Sequence, residues 1–208
     1  MKCLCILLCC IALLPACKKE MAVKEAPRPA RQDGLWPLAL QNEWTYKRTF
    51  YEPDGKEESS FSGEQIKITD TLNVRGQLYF RDKQTGYTLT NVGMNSVRGI
   101  AMDSSLTDPF AIVFQRVYSN DSTIWRMTDG ACAAQESAFQ GFGALSNVNG
   151  YECLKNERSG RNCNGALTMR YVTYLKPGVG MVRQEEYVPG PNGLVLRVTV
   201  DLLSYKLN

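Results

Sequence analysis

The chain has 208 residues, with 24 lysines and arginines against 21 aspartates and glutamates, eight cysteines and no histidine. Because the charges nearly cancel, the chain lacks the basic footprint of a nucleic-acid-binding protein. The lack of imidazole excludes every catalytic triad or metal site that needs this group. We therefore expect no nucleic-acid partner, no metal and no cofactor.

An apolar leader opens the chain. Lys2 gives a short positive region, residues 3–14 are apolar, and the sequence LPAC ends at Cys17. The apolar run is shorter than the roughly 20 residues that cross a bilayer as a helix, and charged residues follow it directly. This pattern predicts a signal peptide over residues 1–16.

The LPAC sequence resembles the bacterial lipobox. The resemblance implies that Cys17 becomes the mature N-terminus and carries a diacylglyceryl thioether and an N-acyl chain such as palmitate, which together hold a protein on a membrane. Lys18 stands where, in the enterobacterial sorting rule, an aspartate would retain the protein at the inner membrane, so the outer membrane is the expected location, in either leaflet. The alternative is an ordinary secretory leader with Cys17 incidental.

Residues 17–34 predict a flexible linker, because prolines alternate with charges and no apolar period is present. Fully extended, this linker spans at most about 55 Å. A single domain over residues 35–208 can therefore stand clear of the lipid.

The domain contains a succession of short strands. The first, EWTYKRTF, alternates Trp44, Tyr46 and Phe50 with polar residues, and a turn at residues 53–55 follows. Further strands are predicted for the segment from Ile66 to Leu72, for QLYFRD, GYTLT, SVRGIAM, FAIVFQRVY, YECLK, GALTMRYVTYL and VGMVRQEEYV, and from Leu194 to Leu202. FAIVFQRVY is apolar on both faces at its start, which predicts a central strand. The Gly- and Asn-containing residues 129–149 predict a loop with at most a short helix.

About ten strands without a helical period predict an all-β antiparallel fold. A strongly curved sheet, or an open or closed β-barrel, would protect the sheet edges. A two-sheet β-sandwich is the alternative.

Three cysteines remain once the leader and Cys17 are set aside: Cys132, Cys153 and Cys163. An oxidising envelope favours a disulfide among them. We predict Cys153 with Cys163, because the sequence between them is polar and reads as a hairpin loop, whose closure stabilises by about 2 to 3 kcal/mol. Cys132 with Cys153 is the alternative. No CxxC pair and no histidine are present to bind zinc.

Two motifs resemble a group of uncharacterised bacterial envelope lipoproteins. The first is WPLALQNEWTY after the linker, and the second is KPGVGMVRQEEY near the C-terminus. The matching residues are Pro37, Leu38, Asn42, Trp44 and Tyr46, then Pro177, Gly178, Val179, Gly180, Val182 and Glu185. The resemblance implies an envelope location and a β-rich domain, and it implies no activity.

No motif predicts catalysis. Glu185 and Glu186 are adjacent on a predicted strand and therefore point to opposite faces. Trp36, Trp44 and Trp125 could line a sugar or lipid pocket, but we expect core packing. The acidic residues Asp54, Glu57 and Glu58 lack EF-hand spacing and predict a turn.

Three functions remain open. The first is a lipid-anchored binding or scaffolding domain for another envelope protein, a glycan or an apolar ligand. The second is an envelope carbohydrate-active enzyme that uses two carboxylates. The third is a structural subunit of a surface assembly. A sizeable concave cavity would favour an apolar ligand, whereas a filled core would favour partner binding through an edge or surface patch.

Overall fold

The computed structural model describes residues 33–74, 76–91, 97–102, 112–118, 123–129, 132–140 and 145–208, and over residues 98–140 it describes the backbone course alone. These residues form strands and turns. No helix occurs among them, so none long and apolar enough to cross a membrane is found there.

Fourteen strands are described. They are β1 (Glu43–Tyr51), β2 (Glu57–Lys67), β3 (Asp70–Val74), β4 (Gln77–Arg81), β5 (Thr88–Asn91), β6 (Val97–Met102), β7 (Ile112–Tyr118), β8 (Thr123–Asp129), β9 (Cys132–Gln140), β10 (Ser146–Val148), β11 (Tyr151–Arg161), β12 (Leu167–Lys176), β13 (Gly180–Gly190) and β14 (Gly193–Lys206).

The strands form two antiparallel sheets. The larger sheet has the order β2-β1-β14-β13-β12-β11-β9-β8, with β10 also paired to β11, and the smaller sheet is the meander β3-β4-β5-β6-β7. The larger sheet is strongly curled into a half-barrel. β-Bulges interrupt most of its ladders, and each bulge bends and twists its strand. The predicted all-β fold with a strongly curved sheet is confirmed.

Three local predictions differ from the structure. Residues 129–149, predicted to be a loop, contain β9 and β10, which are held in the larger sheet by pairing with β8 and β11. The segment from Ile66 to Leu72 is two strands in two different sheets. Strand β7, predicted to be central, is the last strand of the smaller sheet and pairs only with β6 among the described strands.

The hydrophobic core lies between the concave face of the larger sheet and the smaller sheet. Its largest fully buried side chains are Trp36, Trp44, Tyr46, Phe80, Leu35, Leu38, Ile66, Ile68, Leu175, Val97 and Val182. Phe80, Leu89 and Val97 come from the smaller sheet and belong to the same packed cluster as Val182 and Val200 of the larger one. The two sheets therefore share one core.

Residues 34–42, which we call the opening segment, lie between the two sheets. The backbone of Trp36 is bound by the side chain of Asn91 on β5, whose Nδ2 donates to the Trp36 carbonyl at 2.7 Å. On the other side, Gly178 N donates to Gly34 O at 3.1 Å. The opening segment thus connects the smaller sheet to the turn between β12 and β13.

The two motifs at the ends of the domain meet in space. Trp44 Nε1 donates to the carbonyl of Val179 at 2.6 Å, and the Tyr46 hydroxyl donates to the carbonyl of Met181 at 3.3 Å. Trp36 packs edge-to-face on Trp44, with ring centroids 5.7 Å apart. The opening motif and the PGVG turn therefore form one packed unit, which explains in structural terms why tryptophan, tyrosine and glycine occupy these positions.

Asn42 links this packed unit to Asn208, just beyond the end of β14. Its side chain is fully buried, and Nδ2 donates to the Pro37 carbonyl at 2.7 Å. Its Oδ1 accepts a hydrogen bond from Asn208 N at 2.8 Å. A buried amide with both ends satisfied fixes the turn of the opening segment and the end of β14 together.

Candidate functional site

The concave face of the larger sheet changes from apolar to polar along its strands. On β1, Trp44 and Tyr46 are fully buried, whereas Arg48, two residues further on the same face, is half-buried. Arg48 lies opposite Val200 of β14, and Val200 lies opposite Gln184 of β13. Cross-strand partners project to the same face. A polar region therefore begins where the aromatic core ends.

A cavity of about 140 Å³ lies in this polar region. Both sheets contribute to its walls, because Tyr87 precedes β5 of the smaller sheet while the other lining residues belong to the larger one. The lining residues are Tyr46, Arg48, Glu64, Ile66, Tyr87, Tyr171, Met181, Gln184, Glu186 and Val200. We treat this concave cavity as the candidate site.

Arg48 and Glu64 form a bidentate ion pair in the wall of the concave cavity. Arg48 Nε and Nη2 each donate to one carboxylate oxygen of Glu64 at 2.8 Å. This fork geometry is the strong form of the arginine–carboxylate contact. The hydrogen bonds to Glu64 are the main cause that raises the pKa of Arg48. The two charges neutralise each other, and both Glu64 oxygens are already bound.

Glu186 contributes the remaining charge of the concave cavity. No hydrogen bond or ion pair joins its side chain, or that of Gln184, to another residue in the described part of the chain. The Glu186 charge is close enough to Arg48 to help raise the pKa of that guanidinium. With Arg48 neutralised by Glu64, the lining carries one net negative charge at neutral pH.

The concave cavity is small. Ligand pockets for drug-sized molecules usually have volumes of about 300 to 1,000 Å³, and this cavity has about 140 Å³. It has room for a small head group and not for an acyl chain or an oligosaccharide. Beside the cavity, the space between the sheets contains the packed cluster that includes Trp36, Trp44 and Tyr46.

Glu185 and Glu186 lie on opposite faces of β13, as predicted. Glu186 lines the concave cavity, whereas Glu185 belongs to a network on the convex face. There, Arg183 pairs with Glu185 at 3.0 Å, and the Tyr187 hydroxyl donates to Glu185 at 2.9 Å. Burial, followed by this hydrogen bond, raises the pKa of Tyr187 to about 12. Glu185 is therefore a structural residue.

Trp36 and Trp44 belong to the core, as expected, because they are 2% and 0% exposed. Trp125 is on β8, a strand whose side chains the structure does not describe. Cys17 also lies outside the described residues. Of the acidic residues predicted to form a turn, Asp54 lies in one, where its Oδ1 accepts from Lys56 N at 3.0 Å, whereas Glu57 and Glu58 begin strand β2. Glu58 pairs with Arg197 at 2.7 Å. Within the described ranges no three acidic or cysteine side chains converge to hold a metal.

The predicted Cys153–Cys163 disulfide is wrong, and so is the Cys132–Cys153 alternative. Cys153 is a free, fully buried thiol, whereas Cys163 is disulfide-bonded. The segment predicted to be a hairpin loop is strand β11. An extended strand rises about 3.3 Å per residue, so β11 separates Cys153 from Arg161 by about 25 Å. Cys163, two residues beyond Arg161, is therefore far outside the roughly 7 Å limit for bridged Cα atoms.

We expect Cys153 to resist alkylation in the native protein. Burial raises the pKa of its thiol, which lowers the thiolate fraction near pH 8, and the core excludes the reagent. Iodoacetamide should label Cys153 at least about a hundredfold more slowly in buffer than in urea, because labelling requires opening of the core. Mass spectrometry of a non-reduced digest should find Cys163 bridged and Cys153 unbridged. Rapid native labelling of Cys153, or a bridge that contains it, would contradict the structure.

Sequence reasoning did not single out Arg48, Glu64, Tyr87 or Glu186 as one site. The period-two face that contains Trp44 and Tyr46 continues to Arg48, so a signal for Arg48 was present. Glu64 and Tyr87 carried no such signal. Glu64 reaches Arg48 as a diagonal neighbour across the β1–β2 ladder, since it lies opposite Tyr46, and Tyr87 is brought in by the second sheet.

No family model matches the chain, and no curated protein matches it. Among solved structures, it is similar to a "putative lipoprotein" from Parabacteroides distasonis, with 16% identity, a TM-score of 0.40, and coverage of 84% of this chain and 100% of that one. It is also similar to a "putative exported protein with YmcC-like fold" from Bacteroides fragilis, with 13% identity, a TM-score of 0.41, and coverage of 85% and 100%. These identities and TM-scores are too low to carry an inference about function.

Proposed function

We propose that this chain is a lipid-anchored bacterial envelope protein whose β-rich domain binds or scaffolds another envelope component and performs no catalysis. The observation that carries the proposal is the packed aromatic cluster of the described residues, in which Trp36, Trp44 and Tyr46 are buried between the sheets. Where the core is packed in this way, recognition falls to a small cavity, an edge or a surface. The leader that ends at Cys17 supports the anchor.

The expected location is the outer membrane, because Lys18 follows Cys17, the cysteine that we expect to be lipidated. From there the linker of residues 17–34 holds the domain within about 55 Å of the lipid. A tethered domain meets other membrane-bound partners at high effective concentration, so even a weak contact becomes productive. This geometry suits an adaptor better than a freely diffusing carrier.

Metabolic labelling with a fatty-acid analogue tests the anchor. Wild-type protein should incorporate the label, and Cys17→Ser should lose it entirely because the acylated atom is the Cys17 sulfur. Cys10→Ser, a matched change within the leader, should keep the label. Protease shaving of intact cells then identifies the leaflet that the domain faces. Label that persists in Cys17→Ser would contradict the lipid anchor.

A carbohydrate-active enzyme is the second candidate, because Glu64 and Glu186 both line the concave cavity. Such enzymes use one carboxyl as an acid and the other as a base or nucleophile. Here Arg48 holds both oxygens of Glu64, and the cavity is smaller than a disaccharide site requires. Turnover of purified envelope glycans that is abolished by Glu186→Gln would favour the enzyme over the binding domain.

A further inference from the structure

The concave cavity combines a charge and a set of aromatic rings that the proposed function does not yet use. Three tyrosines, Tyr46, Tyr87 and Tyr171, line a space of about 140 Å³ together with Glu186. Tyr171 lies directly opposite Glu186 in the β12–β13 ladder. Tyr87 reaches the same space from the smaller sheet. Aromatic rings are thus present on two sides of one carboxylate.

The electrostatics of the concave cavity favour a positive ligand. The Arg48 guanidinium is held by Glu64 in a bidentate pair. Its charge is therefore largely compensated by Glu64 and neutralises the Glu186 carboxylate only in part. Glu186 has no ion-pair partner in the described residues. A half-enclosed cavity with one uncompensated negative charge concentrates cations. Tyrosine faces add to this attraction through their ring quadrupoles.

A metal ion is a poor match for these groups. Calcium requires six to eight oxygen ligands and magnesium near-ideal octahedral geometry, whereas the described residues bring no three acidic side chains together. An organic cation needs one counter-ion and apolar or aromatic walls. Ile66, Met181 and Val200 also line the cavity but are buried, so the partly exposed rings of Tyr87 and Tyr171 are its accessible aromatic surface.

We propose that the concave cavity binds a substituted ammonium group of about the size of choline, with Glu186 as its counter-ion and Tyr87 and Tyr171 as its walls. The proposal deepens the proposed function, on which it rests, by naming the chemistry that the binding domain recognises. The same chemistry occurs in a free amine, in a lipid head group and in the lysine side chain of a protein partner. All three present a cationic nitrogen on a narrow stem, which the cavity volume admits.

Saturation-transfer NMR on the protein as extracted in a polyoxyethylene detergent tests the proposal. The probes are choline, Nα-acetyl-lysinamide, phosphoethanolamine, the neutral choline isostere 3,3-dimethylbutan-1-ol, and glucose. Transfer to at least one of the three probes that carry an ammonium group, with none to the isostere or glucose, is the expected result. The ammonium probe that binds most tightly separates a free amine, a protein side chain and a lipid head group as the source.

Two variants assign the binding to the concave cavity. Glu186→Gln should weaken the affinity for the cation at least about tenfold, because one close charge pair is lost. Glu152→Gln, which changes an exposed glutamate on β11, should alter that affinity less than about twofold. Tyr87→Leu keeps apolar bulk against the core but removes the ring, and should weaken binding several-fold. Equal binding of the isostere or glucose, no transfer from any cation, or unchanged affinity in Glu186→Gln would overturn the proposal. The binding assay uses detergent-extracted protein and therefore does not depend on attachment to a membrane. Its failure is thus separate from a failure of the labelling test on Cys17.

Discussion

Trp44→Ala is expected to lower the free energy of unfolding by about 5 kcal/mol. Truncating a buried tryptophan costs about 3 to 5 kcal/mol in lost burial and cavity formation, and the Val179 carbonyl loses its hydrogen bond from Trp44 Nε1. An unsatisfied buried acceptor costs a further 1 to 3 kcal/mol or so. Since domains of this kind are stable by about 5 to 15 kcal/mol in total, the variant should be largely unfolded at modest urea concentrations.

Urea unfolding followed by far-UV circular dichroism measures this effect in the full chain. Trp44→Phe retains most of the ring and loses the hydrogen bond, so it should cost about 2 kcal/mol. Tyr205→Ala truncates an aromatic residue that is 41% exposed on β14 and should cost less than about 0.5 kcal/mol. If Trp44→Ala cost no more than Tyr205→Ala, the contact between the opening motif and the PGVG turn would not stabilise the domain.

Gly180→Ala is expected to cost about 3 to 4 kcal/mol. Gly180 has φ of +101°, which an L-residue adopts only with strain, and a Cβ there would lie 2.7 Å from Trp36 Nε1. Backbone strain of this kind costs about 1 to 3 kcal/mol, and overpacking a filled core costs a similar amount. The Trp36 indole is buried between the sheets and cannot move aside cheaply.

Gly178→Ala provides the matched control for Gly180→Ala. Gly178 has φ of +77° in the same turn, but a Cβ there meets no atom within 4 Å. It should therefore cost only the backbone strain, about 1 kcal/mol. Combining Gly180→Ala with Trp36→Leu should recover part of the loss, because the clash is with the indole. Equal costs for the two alanine variants, measured by urea unfolding, would show that the contact with Trp36 is not tight.

Local alternation was sufficient to predict β1, β12 and β14, because each of these strands places apolar residues on one face at nearly every second position. Strand β9 escaped prediction because its sequence is polar and small, so its place in the sheet depends on partner strands that a local window does not contain. The disulfide prediction failed for a related reason. A polar segment with one glycine suits a hairpin loop as well as a strand, and only the pairing of β11 with β12 decides between them.

The candidate site required information that no local pattern holds. Arg48 and Glu64 face one another across a bulge, and Tyr87 arrives from a second sheet. The unit formed by Trp44 and Val179 joins residues that are 135 positions apart in the chain. The two motifs were visible in the sequence, but their contact follows from topology, in which β1 and β13 both pair with β14.

The hydrogen bonds that Asn208 makes with Asn42 and Gln41 fix the end of β14 at one pole of the domain. They place Asn208 beside the start of β1, at the same pole as the opening segment. The hairpin tips at residues 52–56, 162–166 and 190–193 occupy the opposite pole of the long strands. A fusion appended after Asn208 would therefore crowd the opening segment, whereas one inserted at a tip would project away from it.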